Sequence, residues 1–407
     1  MSSGLTIFGY AIVAQPGIGH ARTPTLQVKV MVTMSARIPP TKLVRLVERA
    51  RHHLAQFHQR TMPPYAAMME LIVNAWTSQA ITVAVELGIA DVLDKGPLPL
   101  EELASQVNAD PDALRRLLRA LIGRGIFRQR RDGRYQLNAL ATSLRTNAPL
   151  SAAAMARMVG SRQHREHWSH LTDAIRTGNA VIPALHGGAE AFEYLIGEPE
   201  LNEAFNRAMA DTTEMAVDYL MAAYAFEAYP TVVDVGGGVG RLLSAILRVT
   251  PTSRGVLYDL PHAVAEAPPV LRQHGVADRV EVLEGSFFDS VPTGGDVYVL
   301  KMILHDWPDD KAVEILQKVH EAAKIGTKVL VIDCVIPDHD REFFGHWTDL
   351  EMLLLQAGRE RTVPEYRSLL ERAGFRMTRW VPTASPLSFV EAEAINGHAL
   401  QGNLSRC

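Results

Sequence analysis

Three titratable side chains stand where a buried strand runs out: Lys301, His305 and Asp306, in the stretch "LKMILHDWPDD". The run from Val297 to Leu304, broken only by Lys301, has the apolar character of a strand covered on both faces. Pro308 then suits the opening of a helix. Imidazole titrates at about pH 6.5, so a histidine at such an edge suits the removal of a proton from a hydroxyl near neutrality. Acidic partners for its second ring nitrogen are available at Asp333, on the next strand, and at Glu360 in "GRERTVPEY". Lys301 has two readings, a ligand contact or a side chain reaching outward from a sheet edge.

A second constellation precedes it. "DVGGGVGR" places Asp234 at a strand end and Gly236, Gly237, Gly238 and Gly240 in the bend that follows. Glycines let a backbone turn sharply and approach a ligand, and the next helix offers free amides. The dinucleotide fingerprint is not met, because the sixth position from Gly236 is Arg241, and no Lys-Ser or Lys-Thr follows as in a phosphate loop. Asp259, in "LYDLP", ends the next strand, where a carboxylate can take both hydroxyls of a ribose. An adenosine-bearing cofactor without a pyrophosphate fits this pattern, and S-adenosylmethionine is the candidate.

These residues need a sheet to hold them. After Pro230 the runs "TVVDV", "RGVLYD", "VEVLEG", "DVYVLK" and "KVLVIDCVI" alternate with helical stretches, which predicts an α/β fold with a doubly wound parallel sheet. "FRMTRWVP" and "LSFVEAEAI" predict a closing hairpin pair on that sheet. The part before it reads as mainly helical. "TKLVRLVERARHHLAQFHQ" spaces its apolar residues at helical period. "AAMMELIVNAWTSQAITVAVEL" carries too little charge to face solvent and is expected to be buried against another chain or helix. Residues 97–146 predict a winged helix, with a turn at Asn108–Pro111, a helix from Asp112 and a hairpin at Asp132-Gly133. Its arginines raise the question of DNA, although Glu101, Glu102, Asp110, Asp112 and Asp132 dilute them.

Taken in order, "VVDVGGGVGRLLSAIL", "YDLPHAV", "GSFFDSVP", "LKMILHDWPDDKAVEILQKV", "VLVIDCVIP" and "GRERTVPEYRSLLERAGF" resemble the S-adenosylmethionine-dependent O-methyltransferases of the plant caffeic acid type and their bacterial natural-product and carotenoid relatives. The resemblance spans about residues 62–395 and implies a Rossmann-like methyltransferase domain behind an N-terminal winged-helix dimerisation domain. It implies His305 as general base, with Asp333 and Glu360 as the flanking acids. Asp234, Gly236, Gly238, Asp259, Leu260, Ser286, Phe287 and Lys301 fall in the motifs that hold the cofactor. Phe205, Met209, Thr212 and Thr213, in "FNRAMADTT", match a helix lining the substrate and methionine end, with Thr213 on the cofactor side. Met302, Trp307, Met352 and Leu355 are the apolar pocket candidates, which points to a ring-containing or long apolar acceptor. One position departs: Ser286 stands where the family usually has an acid, which either weakens cofactor binding by about 1 kcal/mol or marks non-methylating chemistry.

The domain plan expected is a loosely attached leader over 1–40, a dimerisation and substrate-lid part over 41–225, a cofactor-binding catalytic part over 226–395 and a tail over 396–407. Met31 and Met34 offer later start sites. A net charge of -4 argues against general affinity for nucleic acid or anionic membrane. With only two cysteines, Cys334 and Cys407, no disulfide framework or cysteine zinc site is expected, and a reducing cytoplasm is. His164, His167 and His170 in "HREHWSH" are read as pocket or surface residues rather than metal ligands, since no acidic or cysteine partner is obvious. The expected protein is a homodimeric O-methyltransferase of small aromatic or polyketide-like hydroxyl compounds. A ligand-sensing winged-helix regulator and a non-methylating relative of the same fold are the alternatives.

Overall fold

The structure, a computed structural model, describes residues 38–396. The expectations for residues 1–37, for the tail from 397 and for Cys407 lie outside the described residues.

The strands are β1 (Arg128–Gln129), β2 (Tyr135–Gln136), β3 (Thr231–Val235), β4 (Arg254–Asp259), β5 (Val280–Glu284), β6 (Val297–Lys301), β7 (Lys328–Ile336), β8 (Arg361–Thr362), β9 (Phe375–Pro382) and β10 (Leu387–Ala394). The large sheet runs β5-β4-β3-β6-β7-β10-β9, with β8 paired to β7 off that path. β5 through β7 are parallel, and β10 runs antiparallel to both β7 and β9, which is the expected closing hairpin. The order reverses at β3, whose neighbours are β4 on one side and β6 on the other. A crevice forms at the carboxyl ends of strands where an α/β sheet reverses. The glycine loop after β3 and the histidine after β6 therefore face one crevice.

Alternation sets the two cores. β6 sends Tyr298 and Leu300 to the layer that holds Ile315, Leu316, Tyr366 and Leu370, and Val297 and Val299 to the layer that holds Leu243, Ile246 and Leu247. Each side chain in these sets is buried, so both faces of the sheet are closed over and the reactive groups are left to its edge.

A third core, around Leu103, Leu114, Leu118, Leu121 and Phe127, belongs to the winged helix. Its helices are Leu100–Gln106 and Pro111–Gly123, and its wing is β1 with β2. The second helix starts just before Asp112, because Asp110 accepts the amide of Ala113 at 2.8 Å and Pro111 suits the first turn. The helix Pro64–Glu86 buries only Thr82, Ala84 and Val85 within the chain, while Met68, Ile72 and Trp76 lie exposed. Of the two covers expected for it, another helix or another chain, a helix of this chain does not supply the first half. Between the winged helix and the sheet in sequence, the histidine-rich stretch forms two helices, Arg162–Ser169 and Leu171–Thr177, that part at His170. The helix Pro199–Ala223 then leads into β3.

Candidate active site

Lys301 is the last residue of β6, and the chain turns immediately after it. Met302 takes φ 53, a left-handed conformation that a side-chain-bearing residue adopts at a cost of about 1–3 kcal/mol. A short 3-10 turn over Leu304–Asp306 follows. This reversal tucks His305 beneath the sheet edge, where it is 3% exposed. Nδ1 of His305 lies 2.8 Å from Oε1 of Glu360, and Nε2 lies 3.4 Å from Oδ1 of Asp306. With Nδ1–H donated to Glu360, Nε2 is the nitrogen left to accept a proton.

Glu360 is held from several sides. Oε1 also accepts from Thr348 Oγ1 at 2.8 Å, and the Glu360 amide donates to Asp349 Oδ1 at 2.8 Å. Both partners sit on the helix Phe344–Gln356. Next to it the buried Arg361 donates to the carbonyls of Leu304 and Trp307, each at 2.8 Å, and to Asp309 at 2.9 Å. The amide of Arg359 donates to the His305 carbonyl at 2.8 Å. The segment 358–361 thus clamps the histidine loop by backbone and side chain together. Thr348, Asp349 and Arg361 were not singled out from the sequence, although Arg361 adjoins Glu360, which was.

Asp333 lies in the same cluster without touching His305. Its Oδ2 accepts from the hydroxyl of Tyr366 at 2.7 Å, and its Oδ1 has no partner. Burial disfavours the imidazolium of His305, but the carboxylates of Asp306, Glu360 and Asp333 outweigh it and raise its pKa to about 10. Burial lifts Asp306 to about 7, against the pull of His305, and burial raises Glu360 as well. Lys301 does not reach outward: burial lowers its pKa against the field of Asp234, Asp333 and Asp306. The edge of the sheet is therefore rich in carboxylates and suited to a cationic ligand.

The glycine loop fits a close-bound ligand. Gly236, Gly238 and Gly240 have φ of 70, 55 and 78, and a Cβ on Gly236 would meet Ile303 at 2.4 Å. Asp259 Oδ2 accepts the amide of Gly238 at 2.8 Å and Oδ1 that of Leu260 at 2.7 Å. Each oxygen keeps a further lone pair for a ribose hydroxyl. Asp234 is fully buried beneath the loop, its Oδ2 is unpartnered, and burial raises its pKa to about 7. Leu260 is 37% exposed at the mouth, and Phe287 lies against Trp307 with ring centroids 6.3 Å apart. An orphaned buried carboxylate, a ribose-directed acid and an apolar mouth fit an adenosine-bearing cation. Ser286 spends its Oγ on the amide of Phe288 at 3.2 Å, a turn contact that an aspartate can also make. We expect Ser286→Asp to tighten cofactor binding about fivefold in calorimetry, the reverse of the 1 kcal/mol loss assigned to the serine. Weaker binding in the variant would show that the loop has adapted to the hydroxyl.

On the acceptor side, Phe205 meets Phe192 at 6.3 Å, and Phe192 meets Trp307 at 6.3 Å. Trp307 also packs on Phe288 at 4.7 Å, so it bridges Phe192 and the loop after β5. Phe192 was not foreseen. Thr213 donates its hydroxyl to the Met209 carbonyl at 2.8 Å, so it has only lone pairs to offer a ligand, and Thr212 beside it is partly buried. Met302 packs at the sheet edge, while Met352 and Leu355 share the helix face of Thr348. Contrary to expectation, the histidine stretch has an acidic partner: His164 Nε2 lies 3.1 Å from Glu351.

The chain matches known proteins over most of its length. Residues 168–376 match an O-methyltransferase domain family, and residues 69–147 match an O-methyltransferase dimerisation domain. A phenazine O-methyltransferase of Lysobacter antibioticus is 39% identical over 334 residues, 82% of this chain and 97% of that protein. A mitomycin biosynthesis 6-O-methyltransferase of Streptomyces lavendulae is 38% identical over 324 residues, 79% of this chain and 92% of that protein. An O-methyltransferase from neocarzinostatin biosynthesis, solved with S-adenosylmethionine and 2-hydroxy-5-methyl naphthoic acid, superposes with a TM-score of 0.68 at 34% identity, covering 78% of this chain and 96% of that one.

Proposed function

The chain belongs to the O-methyltransferase family, and from that premise we propose that His305 is the base that activates a hydroxyl on a small, ring-containing apolar acceptor. The enzyme is an S-adenosylmethionine-dependent O-methyltransferase. The observation that carries the residue assignment is the 2.8 Å contact of Nδ1 with Glu360, which leaves Nε2 as proton acceptor at the crevice edge. Bound S-adenosylmethionine supplies a methyl group on a sulfonium, open to displacement by an oxygen nucleophile. Nε2 takes the proton of the acceptor hydroxyl, and the resulting imidazolium lies between Glu360 and Asp306. Asp259, Gly236, Gly238 and Ser286 hold the cofactor with Asp234, Lys301, Leu260 and Phe287, and Phe205, Met209, Met352 and Leu355 face the acceptor. Alignment and exclusion of water are the main work left to the protein. Calorimetric titration with S-adenosylmethionine and its demethylated product, followed by a methyl-transfer screen of naphthols and phenazine phenols, tests this reading. Micromolar binding with transfer to a ring hydroxyl supports it, and binding without transfer to any phenol counts against it.

The two relatives described above are named for O-methyl transfer, and this favours the enzyme over the regulator and the non-methylating alternative. Residues 41–225 are read as the dimerisation and lid part and 226–395 as the catalytic part. The dimer is read as a homodimer whose interface includes the exposed apolar half of the helix Pro64–Glu86. We expect Ile72→Asp with Trp76→Asp, both exposed in the single chain, to weaken self-association at least tenfold in sedimentation. An unchanged dimer in that variant would place the interface elsewhere. Among the described residues, no helix is long and apolar enough to cross a membrane.

A further inference from the structure

Glu351 stands on the helix Phe344–Gln356, three residues after Thr348, about 60° round and roughly 4.5 Å along from the residue that braces Glu360. Met352 and Leu355 flank it on the catalytic side. On the other side Leu354 packs with Ala174, Val181 and Trp168 of the helical lid. The carboxylate therefore lies at the seam between the catalytic wall and the lid. His164 Nε2 is 3.1 Å from both of its oxygens, and Trp168 Nε1 donates to Oε2 at 2.5 Å. Burial works to raise the carboxyl's pKa, but the hydrogen bonds from His164 and Trp168 hold it below the usual range, so it is ionised at neutral pH. The next histidine, His167, is paired with His186 at 3.1 Å and driven by burial to a pKa of about 4, so it adds no positive charge.

A buried carboxylate is a poor way to stabilise a fold, because its desolvation offsets most of the attraction to its partners. A pocket with mainly apolar walls, by contrast, orients its ligand through a few placed polar groups. The Glu351 side chain keeps 19% exposure and His164 12%, so the pair is not sealed off. A carboxylate offers about four acceptor positions, and only two donors reach it here, His164 Nε2 shared between both oxygens and Trp168 Nε1.

We propose that Glu351 is a specificity-determining residue that accepts a hydrogen bond from a donor on the acceptor's ring system, an amino, hydroxyl or ring N–H group remote from the reacting hydroxyl. By the same charge it excludes acceptors with a carboxylate at that position. The inference rests on the methyl-transfer reading. Its test is therefore made first by binding, through quenching of tryptophan fluorescence, with an aminonaphthol and the hydroxynaphthoic acid of the same substitution pattern. The wild type should bind the aminonaphthol at least tenfold more tightly, and Glu351→Gln should bring the two within about threefold while the demethylated cofactor binds as before. His164→Gln, which keeps the carboxylate and a donor beside it, should retain the preference for the amine. Tighter binding of the naphthoate by the wild type overturns the proposal whether or not the variants fold. So does an equal loss for both ligands in Glu351→Gln, which would make the residue a brace between lid and wall. If discrimination holds in binding but neither compound is methylated, the subsite stands and the methyl-transfer assignment is what fails.

Discussion

His305→Gln should lower kcat about a thousandfold while S-adenosylmethionine binds within about threefold of wild type. General-base catalysis contributes roughly 10²–10⁴-fold, and a thousandfold corresponds to about 4 kcal/mol of transition-state stabilisation. Glutamine is the informative replacement. Its amide can still donate to Glu360, so the buried carboxylate, 2.8 Å from Nδ1 in the wild type, is not stranded. Alanine would strand it and add a fold-level penalty of about 3–5 kcal/mol. The base must be unprotonated to act, so wild-type activity should fall as pH drops through the histidine's apparent pKa. The carboxylates of Asp306, Glu360 and Asp333 raise that pKa to about 10, which places the acid limb on the alkaline side of neutrality. The acid limb of the kcat profile should vanish in His305→Gln. Rapid-quench kinetics over a pH series would check both claims, and an acid limb unchanged in the variant would assign the proton to Asp306, whose own pKa is near 7.

The chemistry was legible in the sequence because it sits at strand ends. A strand announces itself by composition, and the residue at its carboxyl end is then fixed in the crevice by topology, as Asp234, Asp259 and His305 show. The parallel pairing of β3 to β7 and the closing hairpin were readable for the same reason, while the order of the strands was not. What spacing did not reveal is pairing across distant segments. Nothing local to Asp333 says that Tyr366 will claim its Oδ2, or that Glu360 alone will reach Nδ1 of His305. Likewise Glu351 and His164 are 187 residues apart, and only the packing of lid on wall brings them together. For the helix Pro64–Glu86 the sequence left open burial against another chain or another helix, because an apolar sequence does not distinguish a core from an interface.

Gly358→Ala should separate the histidine from its acid without touching either side chain. A Cβ built on Gly358 would lie 2.3 Å from the His305 carbonyl oxygen and 2.5 Å from the Asp306 carbonyl carbon, and neither is a flexible tip that can swing aside. The glycine follows Ala357, which ends its helix in a left-handed conformation, and its amide bonds to the Met352 carbonyl at 3.1 Å. The segment is thus pinned on the helix side, and the histidine loop is pinned by Arg361 on the other. Relief requires the two backbones to part by about an ångström, which lengthens the His305–Glu360 bond and misaims Nε2. A displacement of that size in a catalytic group costs about a hundredfold in rate, and overpacking of this kind costs about 1–3 kcal/mol in stability. The atoms the added Cβ would meet first belong to His305 and Asp306 and not to the glycine loop, so cofactor binding should change less than threefold. The expected result is a folded variant that melts a few degrees lower, binds S-adenosylmethionine normally and turns over about a hundredfold more slowly. A melting shift with wild-type kcat would mean that the close approach serves packing alone and that the His305–Glu360 geometry tolerates the strain.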